Sequence, residues 1–407
     1  MTPIRLAITG MGVVSALGWS LEETWIAIEA GRSGLGPLTL FDSPRCGHFP
    51  VGQVPGDPSQ RSSLSAGSRS DHLAAYAARQ AFQDAGLDRL PEAARRQVGL
   101  GFGGTTGGLL DTESFLLGLI REGKEDLDLL RRHECSHPTQ AAASLLGLKG
   151  FRSTVSTACS SGAAALGMAA DVIGAGEASI MLAGGVDSLT RLTLNGFASL
   201  LIVSPEGCRP FDARRSGMSL GEGAAVLALE TEESAHRRQA RIYGYLAGFA
   251  HTCDAYHATA PSPDGSGIYR AMAQALTHAG LTPDQVDYVN AHGTGTIDND
   301  LAEGRALARL FGDKQPLISS TKRFLGHTLG AAGALEAVVC LLALEHQRVP
   351  ANLGLRQPDP KIPIQPEATL SPARLDVALS NSLGFGGACS ALVLRRVFSH
   401  REERHGP

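Results

Sequence analysis

No stretch of the 407 residues approaches the roughly 18 uninterrupted apolar residues of a membrane span. The start, Met1-Thr2-Pro3-Ile4-Arg5-Leu6-Ala7-Ile8, lacks the basic-then-apolar order of a signal peptide and runs directly into a strand-like segment. The 7 cysteines are odd in number, scattered, and include no Cys-x-x-Cys pair. That argues against a disulfide framework or a zinc ribbon and for a reducing compartment, so the chain reads as cytoplasmic. Excess charge is lacking too. Lys+Arg at 36 against Asp+Glu at 40 leaves −4, which offers nucleic acid or an anionic membrane no global attraction. An acidic partner would have to meet a local basic patch. With 43% apolar and 19% charged residues, the chain is neither disordered nor fibrous.

Glycine is in excess. Its 49 residues exceed the average usage of about 7%, which implies many tight turns and close backbone approaches. The length suits two average domains or one large α/β unit. Internal similarity favours two related halves. Ala81–Leu87 and Ala275–Leu281 each close a helical pattern at a glycine. Each is followed by a short strand and a Gly/Thr loop, Val98–Gly107 in one case and Val286–Thr296 in the other. Cys159-Ser160-Ser161-Gly162-Ala163-Ala164-Ala165 opens a small-residue helix, and His327-Thr328-Leu329-Gly330-Ala331-Ala332-Gly333 opens its twin. The halves are read as 1–240 and 241–407, with strand starts near Arg5 and Arg241, forming one body. Alternating strand and helix patterns imply α/β architecture, a mixed or parallel sheet covered by helices, with ligands at the C-terminal strand ends. Cys208–Gly223 reads as a loop, Pro358–Pro372 as an extended connector, and the charged tail after Phe398 as frayed.

Four motifs carry chemistry. In Val155–Gly162 a strand ends in Cys159 at the start of a helix, where N–H groups and the helix dipole lower a thiol pKa. A hydrolase elbow would place Gly two positions either side of the nucleophile, but Thr157 and Ser161 stand there. His292-Gly293-Thr294-Gly295-Thr296 leaves a strand with Asn299, Asp300 and Glu303 behind it, and its hydroxyls and N–H groups suit a polar ligand arm. Ser320-Thr321-Lys322-Arg323-Phe324-Leu325-Gly326-His327 places a second histidine at a helix start, which keeps it neutral and able to donate from Nε2. Asn381–Gly387 is a glycine-rich turn whose backbone can offer an N–H to an oxyanion, with Phe385 as a movable plug. One cysteine and two histidines at strand–helix mouths make a Cys-His-His site the economical reading. His133-Glu134-Cys135-Ser136-His137 lacks further ligands at suitable spacing and reads as a loop, so no metal is expected.

Together, Thr157–Ser161, the His292 loop, Lys322–His327 and Gly384–Gly387 resemble the β-ketoacyl-acyl carrier protein synthases, in their elongating Cys-His-His form, over nearly the whole chain. The resemblance implies a thiolase-like fold of two duplicated halves in five αβαβα layers, usually dimeric. It implies that Cys159 is acylated from a carrier-protein thioester, and that His292 and His327 act on malonyl carrier protein as it loses CO₂. The Cys159 and Phe385 N–H groups would form the oxyanion hole. Lys322 would pair with Glu303 and, with Asp300, support the histidines. Thr294 and Thr296 would touch the phosphopantetheine arm that the carrier protein brings, and no cofactor of the enzyme's own is needed.

Departures from the family's usual pattern bear on specificity. Ala388-Cys389 stands where Thr-Asn is common, and Arg215-Ser216-Gly217-Met218 where Arg-Asp-Gly-Phe is common. Thr106 and Met218 are read as lining the acyl pocket, with Thr106 admitting a longer or stiffer chain. The compact Asn195–Asp212 segment resembles aryl polyene-type synthases, with fatty acid elongation the runner-up. For acidic carrier docking, Arg69, Arg131, Arg132 and Arg209 are the positional candidates. The partner is expected to be a second copy or a chain-length-factor-like paralogue. The competing reading, a non-catalytic subunit of that kind, is disfavoured by the presence of Cys159, His292 and His327.

Overall fold

The computed structural model describes residues 5–397, so the tail read as frayed lies outside the described residues. The first half supplies strands β1 (Leu6–Val14), β2 (Gly99–Gly103), β3 (Arg152–Val155), β4 (Ile180–Asp187) and β5 (Gly223–Thr231). The second supplies β6 (Gly244–Cys253), β7 (Tyr288–Asn290) and β8 (Leu317–Ser319). A separate ribbon of β9 (Arg348–Val349) and β10 (Ser371–Pro372) follows, then β11 (Val377–Leu383) and β12 (Ala388–Arg395).

The large sheet runs β3-β2-β4-β5-β1-β6-β12-β11-β7-β8, one five-strand arrangement written twice and joined back to back. In the first half β2 lies parallel to β3 and β4, and β5 runs antiparallel to β4 and β1. In the second half β7 lies parallel to β8 and β11, and β12 runs antiparallel to β11 and β6. The seam is short: Leu6, Ala7 and Ile8 pair antiparallel with Leu246, Tyr245 and Gly244.

Helices complete five layers. Arg69–Asp84 packs on β1, β4 and β5, with His137–Leu146 beside it, on one outer face. Ser266–Ala279 packs on β6, β11 and β12, with Ile297–Phe311 beside it, on the other. Ser161–Gly174 and Ala332–His346 each touch strands of both halves and form the middle layer. Their sequences account for this. The outer helix Arg69–Asp84 buries one face of Leu73, Ala74, Ala77, Ala78 and Ala81, whereas the middle helices are buried all round. The segment Leu329–His346 is long and apolar enough to cross a membrane, but 89% of it is buried inside the protein.

The two middle helices meet backbone to backbone at their starts. A Cβ on Gly162 would lie 2.8 Å from the Gly330 carbonyl oxygen, and one on Gly333 would lie 2.8 Å from the Ala163 Cβ. Before them, Ala158 and Leu329 both take left-handed φ values, 52° and 50°. Ser161 and Ala332 then begin the helices. The twins are therefore Ala158 with Leu329 and Gly162 with Gly333, not Cys159 with His327. A run of Ala and Gly can be slid by one helical turn without disturbing its pattern, and only the packing selects the register.

Loops on one side converge on the site. The connector after residue 352 clamps the Cys208–Gly223 loop, through Ala213 N–H to Gln357 O at 2.8 Å and Asp359 N–H to Phe211 O at 3.0 Å. It also covers the outer edge of β8, where Glu367 N–H donates to Ile318 O at 2.7 Å.

Candidate active site

Cys159 follows β3 at a strained turn. Ala158 holds a conformation that a non-glycine residue rarely adopts. The turn is pinned by Ser161 Oγ, which accepts from Thr157 N–H at 2.8 Å and donates to the Ala158 carbonyl at 2.6 Å. The thiol is buried against Phe41, Val51, Leu189, Leu194, Met218, Leu220 and Leu329. This burial raises its pKa to about 12, against the opposing pull of the Lys322 charge and the Phe385 N–H directed at the sulfur. The expected lowering by the helix start is thus outweighed, because apolar surroundings penalise the thiolate. The resting group is a thiol.

His292 leaves β7 into a loop held from behind by acids. Glu303 Oε1 accepts from His292 N–H at 2.8 Å and Oε2 from Gly293 N–H at 2.9 Å, and Asn381 donates to it at 3.1 Å. Burial raises the Glu303 carboxyl to about 7 despite these donors. Asp300 accepts from Gly295 N–H at 3.1 Å and from Phe211 N–H at 2.7 Å. Arg215, itself buried, grips the carbonyls of Thr296 at 3.2 Å and Ile297 at 3.1 Å. The hydroxyls of Thr294 and Thr296 lie 3.0 Å apart.

His327 does not begin a helix. Its backbone bridges to the segment leading into β5, the N–H donating to Ser219 O at 2.6 Å and the carbonyl accepting from Gly221 N–H at 2.9 Å. The rings of His292 and His327 meet edge to face with centroids 5.1 Å apart. Burial, then the Lys322 charge, holds both pKa values well below the ordinary histidine value, so both rings are neutral. The sequence reading expected neutrality of His327 alone, from a helix start. The cause differs, since burial and a lysine replace the helix start.

Lys322 pairs with Glu336, not with Glu303. Glu336 comes from the middle helix Ala332–His346, and its carboxyl is raised to about 7 by burial. The correction has a plain cause. Glu303 is already occupied by three donors, while Glu336 is a lone acid in the apolar run Ala334–Leu344. That isolation was the signal that could have found it.

Cys159, His292 and His327 line one cavity of ≈ 210 Å³ together with Thr294, Thr296, Met218, Phe385 and Cys389. The Phe385 ring meets Phe197 at 5.3 Å. Gly384 is needed where it stands, because a Cβ there would lie 2.7 Å from Thr157 O and 3.2 Å from Cys159 N.

Other sequence-derived candidates fall elsewhere. The Thr106 hydroxyl and N–H both bond Asp187, at 2.8 and 2.7 Å, and Thr106 is not among the residues lining the cavity. Asp187, missed in the sequence, also accepts from Thr105 and from Gly330 N–H at 2.7 Å, tying the halves together. Arg69 is no surface cation; it is bound by buried Glu222 at 2.8 and 2.6 Å. Arg209 has a 17% exposed side chain engaged by Glu206. Arg132 is held by Asp111 and exposed Arg131 by Asp128. His137, from the run that was weighed as a metal site, bonds Asp71 at 2.9 Å.

The chain is similar to known proteins over nearly its whole length. Residues 4–235 match the β-ketoacyl synthase N-terminal domain, and residues 243–356 match the β-ketoacyl synthase C-terminal domain. The chain is 37% identical to the 3-oxoacyl-[acyl-carrier-protein] synthase 2 of Synechocystis sp., over 96% of its length and 98% of that protein. The ishigamide ketosynthase/chain length factor superposes with a TM-score of 0.92 at 35% identity, covering 98% of this chain and 100% of that one. A chain of AntDE:AntF, a type II PKS acyl-carrier protein in complex with its ketosynthase, superposes at 0.88 with 31% identity, over 97% and 100%. With both domains matched in order and full-length relatives above 30% identity, this chain belongs to the β-ketoacyl synthase family.

Proposed function

We infer that the protein is a 3-oxoacyl-acyl carrier protein synthase that carries its acyl group on Cys159. The observation behind this reading is the convergence of Cys159, His292 and His327 on one cavity. In the first half-reaction the Cys159 sulfur attacks an acyl carrier protein thioester. The thiol proton passes to the departing pantetheine sulfur, and the N–H groups of Cys159 and Phe385 hold the oxyanion. Malonyl carrier protein then binds. Neutral His292 and His327 donate hydrogen bonds to its thioester oxygen as CO₂ leaves. The resulting enolate carbon attacks the acyl carbonyl, and the C–S bond to Cys159 breaks. The sulfur takes up one proton, and β-ketoacyl carrier protein departs. Loss of CO₂ drives the bond formation, so no cofactor is consumed.

Supporting roles follow the contacts. Lys322 and Glu336 set the field at the histidines, Glu303 and Asp300 hold the His292 loop, and Thr294 and Thr296 receive the pantetheine arm. Met218 forms part of the acyl wall. Phe385 serves as gate. The reading of an aryl polyene-type donor is supported by the likeness of the compact Asn195–Asp212 segment to such synthases; that segment also packs Phe197 on the gate Phe385. A second subunit, either a copy of this chain or a chain-length-factor-like paralogue, is supported by the outer edge of β3 and by exposed Leu116, Ile120 and Leu127. The free state of the 7 cysteines fits a reducing, cytoplasmic setting.

The test is intact-protein mass spectrometry with saturated, unsaturated and aryl acyl carrier proteins, then malonyl carrier protein. Acylation of wild type but not Cys159→Ala, discharged as β-ketoacyl product, is expected. Absence of acylation from every donor would instead assign the chain a non-catalytic role.

A further inference from the structure

The His327 ring is aimed from outside itself. Its Nδ1 is buried without a hydrogen-bond partner, so the flanking backbone and the His292 ring fix where Nε2 points. Upstream, Ser219 and Gly221 anchor that backbone. Downstream it turns through Leu329, whose φ of 50° is costly for a leucine and persists only where the surroundings over-determine it. Leu329 belongs to the apolar cluster that contains Cys159, so this turn bears on the nucleophile as well as on the histidine.

The downstream anchor is Asp187, which ends β4 and is wholly buried. Its Oδ2 accepts from Gly330 N–H at 2.7 Å and from the Thr105 hydroxyl at 2.6 Å. Its Oδ1 accepts from the N–H groups of Thr105 and Thr106 at 2.8 and 2.7 Å, and from the Thr106 hydroxyl at 2.8 Å. Thr106 Oγ1 in turn accepts from Ser188 N–H at 3.2 Å, so its own proton is committed to Asp187. Around this link the packing is close. A Cβ on Gly330 would lie 2.9 Å from Gly104 Cα, and one on Gly185 would lie 2.5 Å from Gly330 O and 3.1 Å from Gly162 Cα. Such contacts limit where Gly330 can sit, but they only repel. The attraction that keeps the strained turn in place is the hydrogen bond to a carboxylate.

We propose that Asp187 is a positioning residue for the condensation step: through Gly330 N–H it holds the Leu329 turn and so aims His327 at the malonyl thioester. This rests on the condensation reading above. The two carboxylate oxygens have different duties. Oδ1 faces two N–H groups that can only donate, so an amide at position 187 must place its oxygen there and its NH2 against Gly330 N–H. The Thr105 hydroxyl can turn to accept from that NH2. Asp187→Asn therefore keeps the first-half bonds and breaks the one link to the second half.

The experiment follows the two half-reactions separately in wild type and Asp187→Asn. In the route above, acylation of Cys159 needs neither histidine, so its rate in the variant should stay within about threefold of wild type. Turnover of the acylated enzyme with malonyl carrier protein should fall about 10- to 100-fold in kcat, with its KM changed less than about twofold. A purely structural role would lower the active fraction and scale both half-reactions alike. As a second variant, replacing the Leu329–Gly330 amide by an ester removes only that N–H and should reproduce the split. Equal losses in both half-reactions, or unchanged condensation, overturns the positioning role while leaving the condensation reading intact. If wild type is neither acylated nor able to condense, the condensation reading falls and the positioning role falls with it.

Discussion

The Lys322 ammonium and the Glu336 carboxylate form an ion pair in which each side chain is only 2% exposed. The lysine's charge acts on Cys159, His292 and His327 at once, favouring the thiolate of the first and the neutral forms of the others. A buried pair of this kind is costly to break from one side, because the remaining charge has no solvent to retreat to.

Lys322→Met and Glu336→Leu should therefore each lose about 3–5 kcal/mol of stability, whereas the double change Lys322→Met/Glu336→Leu should lose much less. Urea unfolding of the two singles and the double reads this directly. Single-site losses below about 1 kcal/mol would show that the pair is not isolated from water.

Cys159 should alkylate slowly at neutral pH. With its pKa raised to about 12, the iodoacetamide rate at this residue should keep climbing above pH 9, where an ordinary thiol levels off. The site-resolved rate, followed by peptide mass spectrometry, would plateau near pH 8–9 if the thiol were unperturbed.

Gly384→Ala should fold but catalyse poorly. The added methyl would lie 2.7 Å from Thr157 O, forcing the Phe385 N–H away from the sulfur. A loss of about 10²-fold in kcat/KM, with a lowered Tm because the clash is with backbone, is the expected outcome. Wild-type turnover would mean that the turn can shift without moving this donor.

Glu303 couples stability to pH. Its folded pKa is raised from 4.5 to about 7, so between those values the folded chain holds a proton that the unfolded chain has released. Its contribution is complete below pH 4.5 and lost as pH rises through about 7. Urea unfolding should show Glu303→Gln gaining on wild type between pH 4.5 and 7.5, on top of a constant offset. A pH-independent difference would mean that Glu303 is ionised throughout.

The motifs and their order were legible because each is a local string with a local consequence. A cysteine between a strand and a small-residue helix, a histidine leaving a strand into Gly-Thr-Gly-Thr, and a glycine turn before the last strand need no knowledge of the fold. The duplication was legible for the same reason, down to Gly86 and Gly280, which both end helical segments with a φ of 66°. Its register was not, since Gly162 meets Gly333 only through the crossing of two helices.

What lay beyond the string was partnership. Lys322 and Glu303 looked like a pair because both lie near the histidine motifs, but Glu303 is saturated by backbone N–H groups and Glu336 reaches Lys322 from the middle layer. Thr106 looked like a pocket wall until Asp187 claimed its hydroxyl, and Arg69 like a surface cation until Glu222 covered it. The thiol's pKa changed direction on the same account. The sequence by itself determined which groups are present and where along the backbone they fall. Tertiary structure alone decided which are buried and which charge faces which, because desolvation and Coulomb attraction depend on distance through space rather than along the chain.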